Sequence, residues 1–130
     1  QRPDMAFHRL IEAALHGGSF PLFGDGRQVR DFTFVDDIVE ATLLAGVTEL
    51  PAGTVMNAAG GGSIELLEVV NLVGVVAGSP VQLDWRNSQP GDVRRTGGSI
   101  ERARELLGWA PKFDLRAGIE RQVGWHRDRA

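Results

Sequence analysis

A chain of 130 residues with a net charge of −3 has the length of one domain, or of a piece of a larger one. Hydrophobic and charged fractions of 42% and 24% exclude bulk disorder. No apolar run approaches the ~18 residues of a membrane span, and the interspersed arginines and acids argue against a nucleic-acid or membrane surface. The absence of cysteine excludes disulfides, thiol catalysis and cysteine-held metals, and fits a cytoplasmic location.

The opening Gln1-Arg2-Pro3-Asp4 does not read as a secretory leader. Phe7, Leu10, Ile11, Ala14 and Leu15 have helical spacing, with Asp4 expected to cap the helix and Gly17-Gly18 to end it. Residues 20–23 read as a short extended segment in which Pro21 suits a sheet edge. Gly24-Asp25-Gly26 is a turn, and Val29 to Phe34 reads as a strand. Asp36 and Asp37 open a second helix with Ile38, Val39, Thr42 and Leu43 on one face. Pro51 and Gly53 then break the chain, and Thr54 to Ala58 reads as a strand. Gly60-Gly61-Gly62 is a turn and Ser63 an expected N-cap for a helix that buries Ile64, Leu67, Val70 and Val73. Gly78-Ser79-Pro80 ends that helix. Val81 to Trp85 reads as a strand and Arg86 to Gly98 as a long polar loop. Ser99 caps a short helix with Ala103, Leu106 and Leu107, Gly108 stops it, and Leu115, Ile119 and Val123 mark a last helix. Helices alternating with short strands, without repeats or linkers, give an α/β or α+β assembly over residues 1–130.

Two counts bear on chemistry. There is no tyrosine and a single lysine, Lys112, so a Tyr-Lys proton-transfer pair cannot be completed by this chain. Glycine reaches 17 residues, about twice the usual ~7%, which signals tight turns or close backbone approach. The Gly60–Gly62 turn begins like a dinucleotide loop, but Glu65 stands at the third glycine position, so a turn packing a helix closely on a strand is the better reading. His8, His16 and His126 lack a metal-ligand spacing such as H-E-x-x-H and read as solvated or partly packed. Asp36-Asp37 reads as helix capping rather than as an acid–base pair, and neither Ser63 nor Ser99 lies in a G-x-S-x-G elbow. Two polar clusters remain. In Phe23-Gly24-Asp25-Gly26-Arg27-Gln28-Val29-Arg30-Asp31-Phe32, strand alternation sets Arg30 on the face opposite Val29 and Asp31, where a guanidinium beside a glycine turn suits bidentate contact with phosphate. The second holds Arg86, Gln89, Pro90, Gly91, Asp92, Arg94 and Arg95 in one long loop. A solvated salt-bridge surface explains either cluster, taken alone, about as well as a ligand site.

At these clusters the sequence resembles the C-terminal part of extended short-chain dehydrogenase/reductases, the NAD-dependent nucleotide-sugar epimerase/dehydratase family. The matching stretches are Arg2-Pro3-Asp4-Met5, the block Phe23 to Asp37, Asn57 with its glycines, Gln89-Pro90-Gly91-Asp92, and Ala103 to Pro111 around Leu-Leu-Gly-Trp. They occur in the family's order, and UDP-glucose and UDP-glucuronate 4-epimerases look most similar. The resemblance implies that Arg30 binds a substrate diphosphate, that Pro21 and Phe23 line the base, and that Gln28 reaches ribose or phosphate. It further implies that Asn57 lies near the nucleotide and that Asp92 holds ribose or organises the loop. Gln89 stands where the family often has a phosphate-binding Arg, and Arg2 where uronate-type enzymes have an Arg that can face the hexose carboxylate.

The sequence departs from the family at Met56, where Tyr is common, at Ala59, where Gly is common, and at Gly98-Ser99, where Ala-Asp is usual. The family's G-x-x-G-x-x-G loop and Y-x-x-x-K pair are absent. The expectation is therefore a UDP-sugar-binding C-terminal subdomain, inactive alone, with NAD and the catalytic pair supplied by a missing Rossmann half or a partner chain. Its uncovered contact face predicts a homo-oligomer or swapped dimer. A stand-alone binding or assembly module, and the same portion of a dehydratase or decarboxylase, are the alternatives.

Overall fold

A computed structural model describes residues 2–60 and 62–129, which form five helices and four short strands. In chain order they are α1 (Ala6–His16), β1 (Ser19–Phe23), β2 (Val29–Asp31), α2 (Val35–Val47), β3 (Ser63–Glu65), α3 (Leu66–Ala77), β4 (Gln82–Arg86), α4 (Glu101–Leu107) and α5 (Leu115–Arg127). The mixed helix-and-strand class is as expected.

The strands make two separate pairs. β1 runs parallel to β4, with Phe20 opposite Leu83 and Leu22 opposite Trp85, so Pro21 lies in a strand hydrogen-bonded along one side only. β2 runs antiparallel to β3 through Val29–Glu65, Arg30–Ile64 and Asp31–Ser63. The helix faces close over them. Phe7, Leu10, Ile11 and Ala14 of α1 meet Phe20 and Leu22 of β1, Val69, Val70 and Val73 of α3, and Ile119 and Val123 of α5 in the main core. A smaller core joins Ala41 of α2 to Ile100, Ala103 and Trp109.

Several expectations are corrected. Asp4 does not cap α1: Met5 holds the cap position without a side-chain hydrogen bond, and Asp4 pairs instead with Arg2. The strand expected through Phe34 ends at Asp31, because β3 offers only three partners and the next aromatics turn inward. Phe32 packs edge-on against Phe7 at 4.8 Å, and Phe34 against Phe113 at 4.8 Å. Ser63 is a strand residue, α3 starts after Glu65, and its buried face is Val69, Val70, Val73, Gly74 and Ala77 rather than one begun at Ile64. Residues 54–58 form no strand; Met56 serves as packing for the smaller core. Ser99 does act at the start of α4, its Oγ accepting from the Glu101 N–H at 3.3 Å, although Ile100 holds the cap position. Of the three-glycine turn, Gly61 lies outside the described residues.

Asp37 is not a cap either. It is buried in the first turn of α2, where its Oδ1 accepts from the Lys112 N–H at 2.9 Å and its Oδ2 from the Phe113 N–H at 3.2 Å. Its carbonyl accepts the indole N–H of buried Trp109 at 3.0 Å. One residue thereby ties α2 to the segment joining α4 and α5. Asp36 pairs with Arg121 of α5. The opposite side of α2 carries Val35, Val39, Leu43 and Val47 at i, i+4 spacing, all more than half exposed.

Asp37→Ala removes a charged acceptor from two backbone donors. It should cost about 2–3 kcal/mol of unfolding free energy, read as a lower urea midpoint with an unchanged slope.

Candidate functional site

The end of β1, the turn after it, β2 and the 86–98 loop meet in one place. Gly24 and Gly26 take φ of +72° and +71°, a conformation that glycine adopts without strain. A Cβ on Gly26 would lie 2.5 Å from Leu67 Cγ, and the Leu67 N–H donates to the Gly26 carbonyl at 3.0 Å, so the turn is clamped to the start of α3. Between the glycines, Asp25 accepts from the Arg27 N–H, and its two carboxylate oxygens share the Arg94 Nη1 donor at 2.8 and 3.0 Å. The Arg94 hydrogen bond is the main reason the Asp25 carboxyl sits below the ordinary carboxylate range. The loop is sewn on further by backbone bonds, Val29 N–H to the Arg94 carbonyl and Thr96 N–H to the Val29 carbonyl.

Inside this frame three side chains interlock. Gln28 is buried. Its amide donates to the Phe23 carbonyl at 2.5 Å and to Asp92 Oδ2 at 3.3 Å. Arg30 donates to Asp92 Oδ1 at 2.5 Å and to the Val29 carbonyl at 2.9 Å. The Arg30 and Asp92 side chains are 22% and 33% exposed, buried enough for the pair to be only partly screened. The side-chain acceptor of Gln28, Oε1, is buried with no hydrogen-bond partner among the described residues, an arrangement that is uncommon in native structures.

Pro21, Phe23, Gln28, Arg30 and Asp92 line one cavity of about 200 Å³. Five of the eight residues singled out from sequence are thus brought together, on elements separated by up to 71 positions (92 − 21). The other three are not. Gln89 contributes its carbonyl to the Asp92 N–H at 3.2 Å, in a turn where Gly91 has φ +87°, so it shapes the loop while its side chain stays outside. Asn57 lies against Gly98 and donates to the Ser99 carbonyl at 3.3 Å. Arg2 is exposed and pairs with Asp4, which borders the cavity.

Arg9 of α1 was not visible as a site residue in the sequence, yet it lines the cavity as a second guanidinium, 5.8 Å from the Phe20 ring centroid. Only the packing of α1 on β1 reveals it. At about 200 Å³ the cavity is smaller than the ~300–1,000 Å³ of a drug-sized site; it can take one end of a nucleotide and not a whole nucleotide sugar. A wider cavity of about 510 Å³ lies among Phe7, Phe32, Phe34, Phe113 and Trp125. Arg121 stacks over Phe113 there, at 4.3 Å. The five aromatic rings share its walls with polar and aliphatic residues, among them Asp36, Asp114 and Gln122.

Gly60 does not suit a dinucleotide loop. A Cβ on Gly60 would stand 2.0 Å from the Phe32 carbonyl oxygen, and the Gly60 N–H is already given to Asp31 Oδ1 at 2.8 Å. That is a packing glycine whose N–H faces protein rather than a pyrophosphate.

Comparison with known proteins shows that the fold is that of the C-terminal part of extended nucleotide-sugar epimerases and dehydratases. The chain belongs to the GDP-mannose 4,6 dehydratase family, whose sequence profile matches residues 3–122. It is 35% identical over 126 residues to the uncharacterized UDP-glucose epimerase YtcB of Bacillus subtilis, covering 96% of this chain and 40% of the relative. It is 31% identical to the UDP-glucuronate 4-epimerase of Thermodesulfobacterium geofontis, covering 98% of this chain and 39% of that one. The crystal structure of the Bacillus cereus UDP-glucuronic acid 4-epimerase, in complex with UDP-glucuronic acid and NAD, superposes with a TM-score of 0.93 at 34% identity. That match takes in all of this chain and 42% of the other. The chain thus spans about 40% of the length of these relatives.

Proposed function

We propose that the chain is the substrate-binding portion of an NAD-dependent UDP-sugar 4-epimerase acting on a UDP-hexose or UDP-hexuronate, and that the Arg30 cavity receives the nucleotide end. The observation that carries this is the convergence of Pro21, Phe23, Gln28, Arg30 and Asp92 on one cavity. A planar guanidinium presents five N–H donors in a fork that matches two oxygens of a diphosphate. Asp92 holds that fork in place before ligand arrives, so less conformational freedom is lost on binding. Pro21, Phe20 and Phe23 offer apolar walls to a base. Gln28 Oε1 is an acceptor suited to a ribose hydroxyl or a base N–H. Arg9 adds positive charge to the same cavity.

The chain contributes binding energy and orientation, not proton or hydride transfer. With no tyrosine, and with its one lysine exposed and paired to Glu40, it supplies neither member of the Tyr-Lys pair. NAD and that pair belong, in this reading, to the rest of the enzyme or to a partner chain. The same absence supports the second reading, a nucleotide-sugar-binding module without turnover. The nucleotide end would be held alike in a dehydratase or decarboxylase.

Calorimetry with UDP on the wild type and Arg30→Ala, beside thermal melts, tests the cavity. One charge-assisted bond contributes about 1.5–3 kcal/mol, so the variant should bind UDP roughly ten- to a hundredfold more weakly. Unchanged affinity with a lowered melting temperature would leave Arg30 a purely structural partner of Asp92.

The apolar outer stripe of α2, Val35, Val39, Leu43 and Val47, supports association of the chain with further copies of itself when no Rossmann half covers it. Light scattering should then report a species larger than the monomer. A monomer at every usable concentration contradicts this.

A further inference from the structure

All three histidines of the chain surround one carboxylate. His8, Glu12 and His16 stand at i, i+4 and i+8 on one face of α1, and His126 comes from the last turn of α5. Glu12 Oε1 lies 2.6 Å from His126 Nδ1, and Glu12 Oε2 lies 3.6 Å from His16 Nε2. The His8 and His126 rings meet at a tilt of 58°, with centroids 4.6 Å apart. Donor atoms of His8, Glu12 and His126 all fall within 4.8 Å of one another. We propose that His8, Glu12 and His126 form a binding site for a divalent transition cation of the zinc type, with His16 or water completing the coordination.

The donor chemistry favours such an ion. Two imidazoles and a carboxylate form a nitrogen-and-oxygen set that suits zinc and its neighbours, whereas magnesium and calcium require oxygen cages. Metal–ligand bonds of about 2.0–2.1 Å in a tetrahedron hold the ligand atoms roughly 3.4 Å apart, between the 2.6 Å of the Glu12–His126 contact and the 4.8 Å limit of the cluster. Small side-chain rotations therefore suffice. Glu12 is 44% exposed and gives the ion a way in, while the His126 side chain is only 2% exposed and is fixed against Trp125.

A proton joins His126 to Glu12 alone, whereas a divalent ion takes lone pairs from both rings and the carboxylate together. The carboxylate is ready for this role. Its hydrogen bond with His126 chiefly, and the neighbouring imidazoles His16, His126 and His8, hold Glu12 below the ordinary carboxylate range. The ion would also join α1 to α5, elements far apart in the chain, and closing so long a loop constrains the unfolded state most.

The untagged 130-residue chain is titrated with Zn²⁺ by calorimetry, with Mg²⁺ as control, and melted with and without Zn²⁺. Co²⁺ is added in parallel as an absorbing reporter. One-to-one Zn²⁺ binding is expected, with a melting temperature that rises with Zn²⁺ concentration, visible bands of four- or five-coordinate Co²⁺, and no response to Mg²⁺. Affinity should fall at lower pH, because protons compete with the ion for the same lone pairs. Glu12→Gln and His8→Asn both change partly exposed side chains, so the fold should persist while Zn²⁺ affinity drops more than about tenfold. No Zn²⁺ binding, or binding of equal strength in the wild type and both variants, overturns the site.

Discussion

The Arg30–Asp92 ion pair is the contact on which the cavity depends. It joins β2, held by three ladder pairs, to the 86–98 loop, which otherwise meets β2 through the Val29–Arg95 bridge. Asp92 also accepts from Gln28, whose amide in turn fixes the Phe23 carbonyl at the end of β1. Removing any one of the three leaves a half-buried polar group short of a partner, which costs more than the bond itself contributes. One buried acceptor of the cluster, Gln28 Oε1, has no hydrogen-bond partner among the described residues.

The rest of the fold serves to hold that junction still. β1 is anchored through Phe20 and Leu22 in the main core, so Pro21 and Phe23 are presented from a rigid base. The 24–26 turn is clamped to α3 through Leu67, which fixes where β2 begins. On the other side, Asp37 and Trp109 bolt α2 to the segment that leads into α5. α2 then turns an apolar stripe outward, and the aromatic cavity around Phe34 and Phe113 opens beside it.

The sequence carried the main lines of this fold because its punctuation is local. Gly17, Gly78 and Gly108 end α1, α3 and α4 with the positive φ that glycine permits, and the apolar spacing of α1 and α5 survives intact. Where the reading failed, the deciding contact was distant in the chain. Nothing near Asp37 announces that its partners are the N–H groups of residues 112 and 113, so it read as a cap. Residues 54–58 have strand composition but meet no neighbouring strand. Among the site residues, the Phe23-to-Phe32 string lay close together in sequence and held together in space, whereas Asn57 and Arg2 went elsewhere. Arg9 joined from a helix face whose neighbours no spacing rule reveals. The histidines read as solvated or partly packed, and His8 and His126 do pack together. The spacing His8-x-x-x-Glu12-x-x-x-His16 is visible along α1, but His126 arrives only through the packing of α5.

The central claim is that the nucleotide end of a UDP-sugar enters the Arg30 cavity and not the wider aromatic one. A crystal structure of the chain with UDP tests it most directly. Diphosphate oxygens are expected within hydrogen-bond distance of the Arg30 guanidinium, with the base against Pro21 and Phe23 and a donor of the ligand on Gln28 Oε1. UDP seated between Phe34 and Phe113, with the Arg30–Asp92 pair unchanged and the smaller cavity empty, would contradict it.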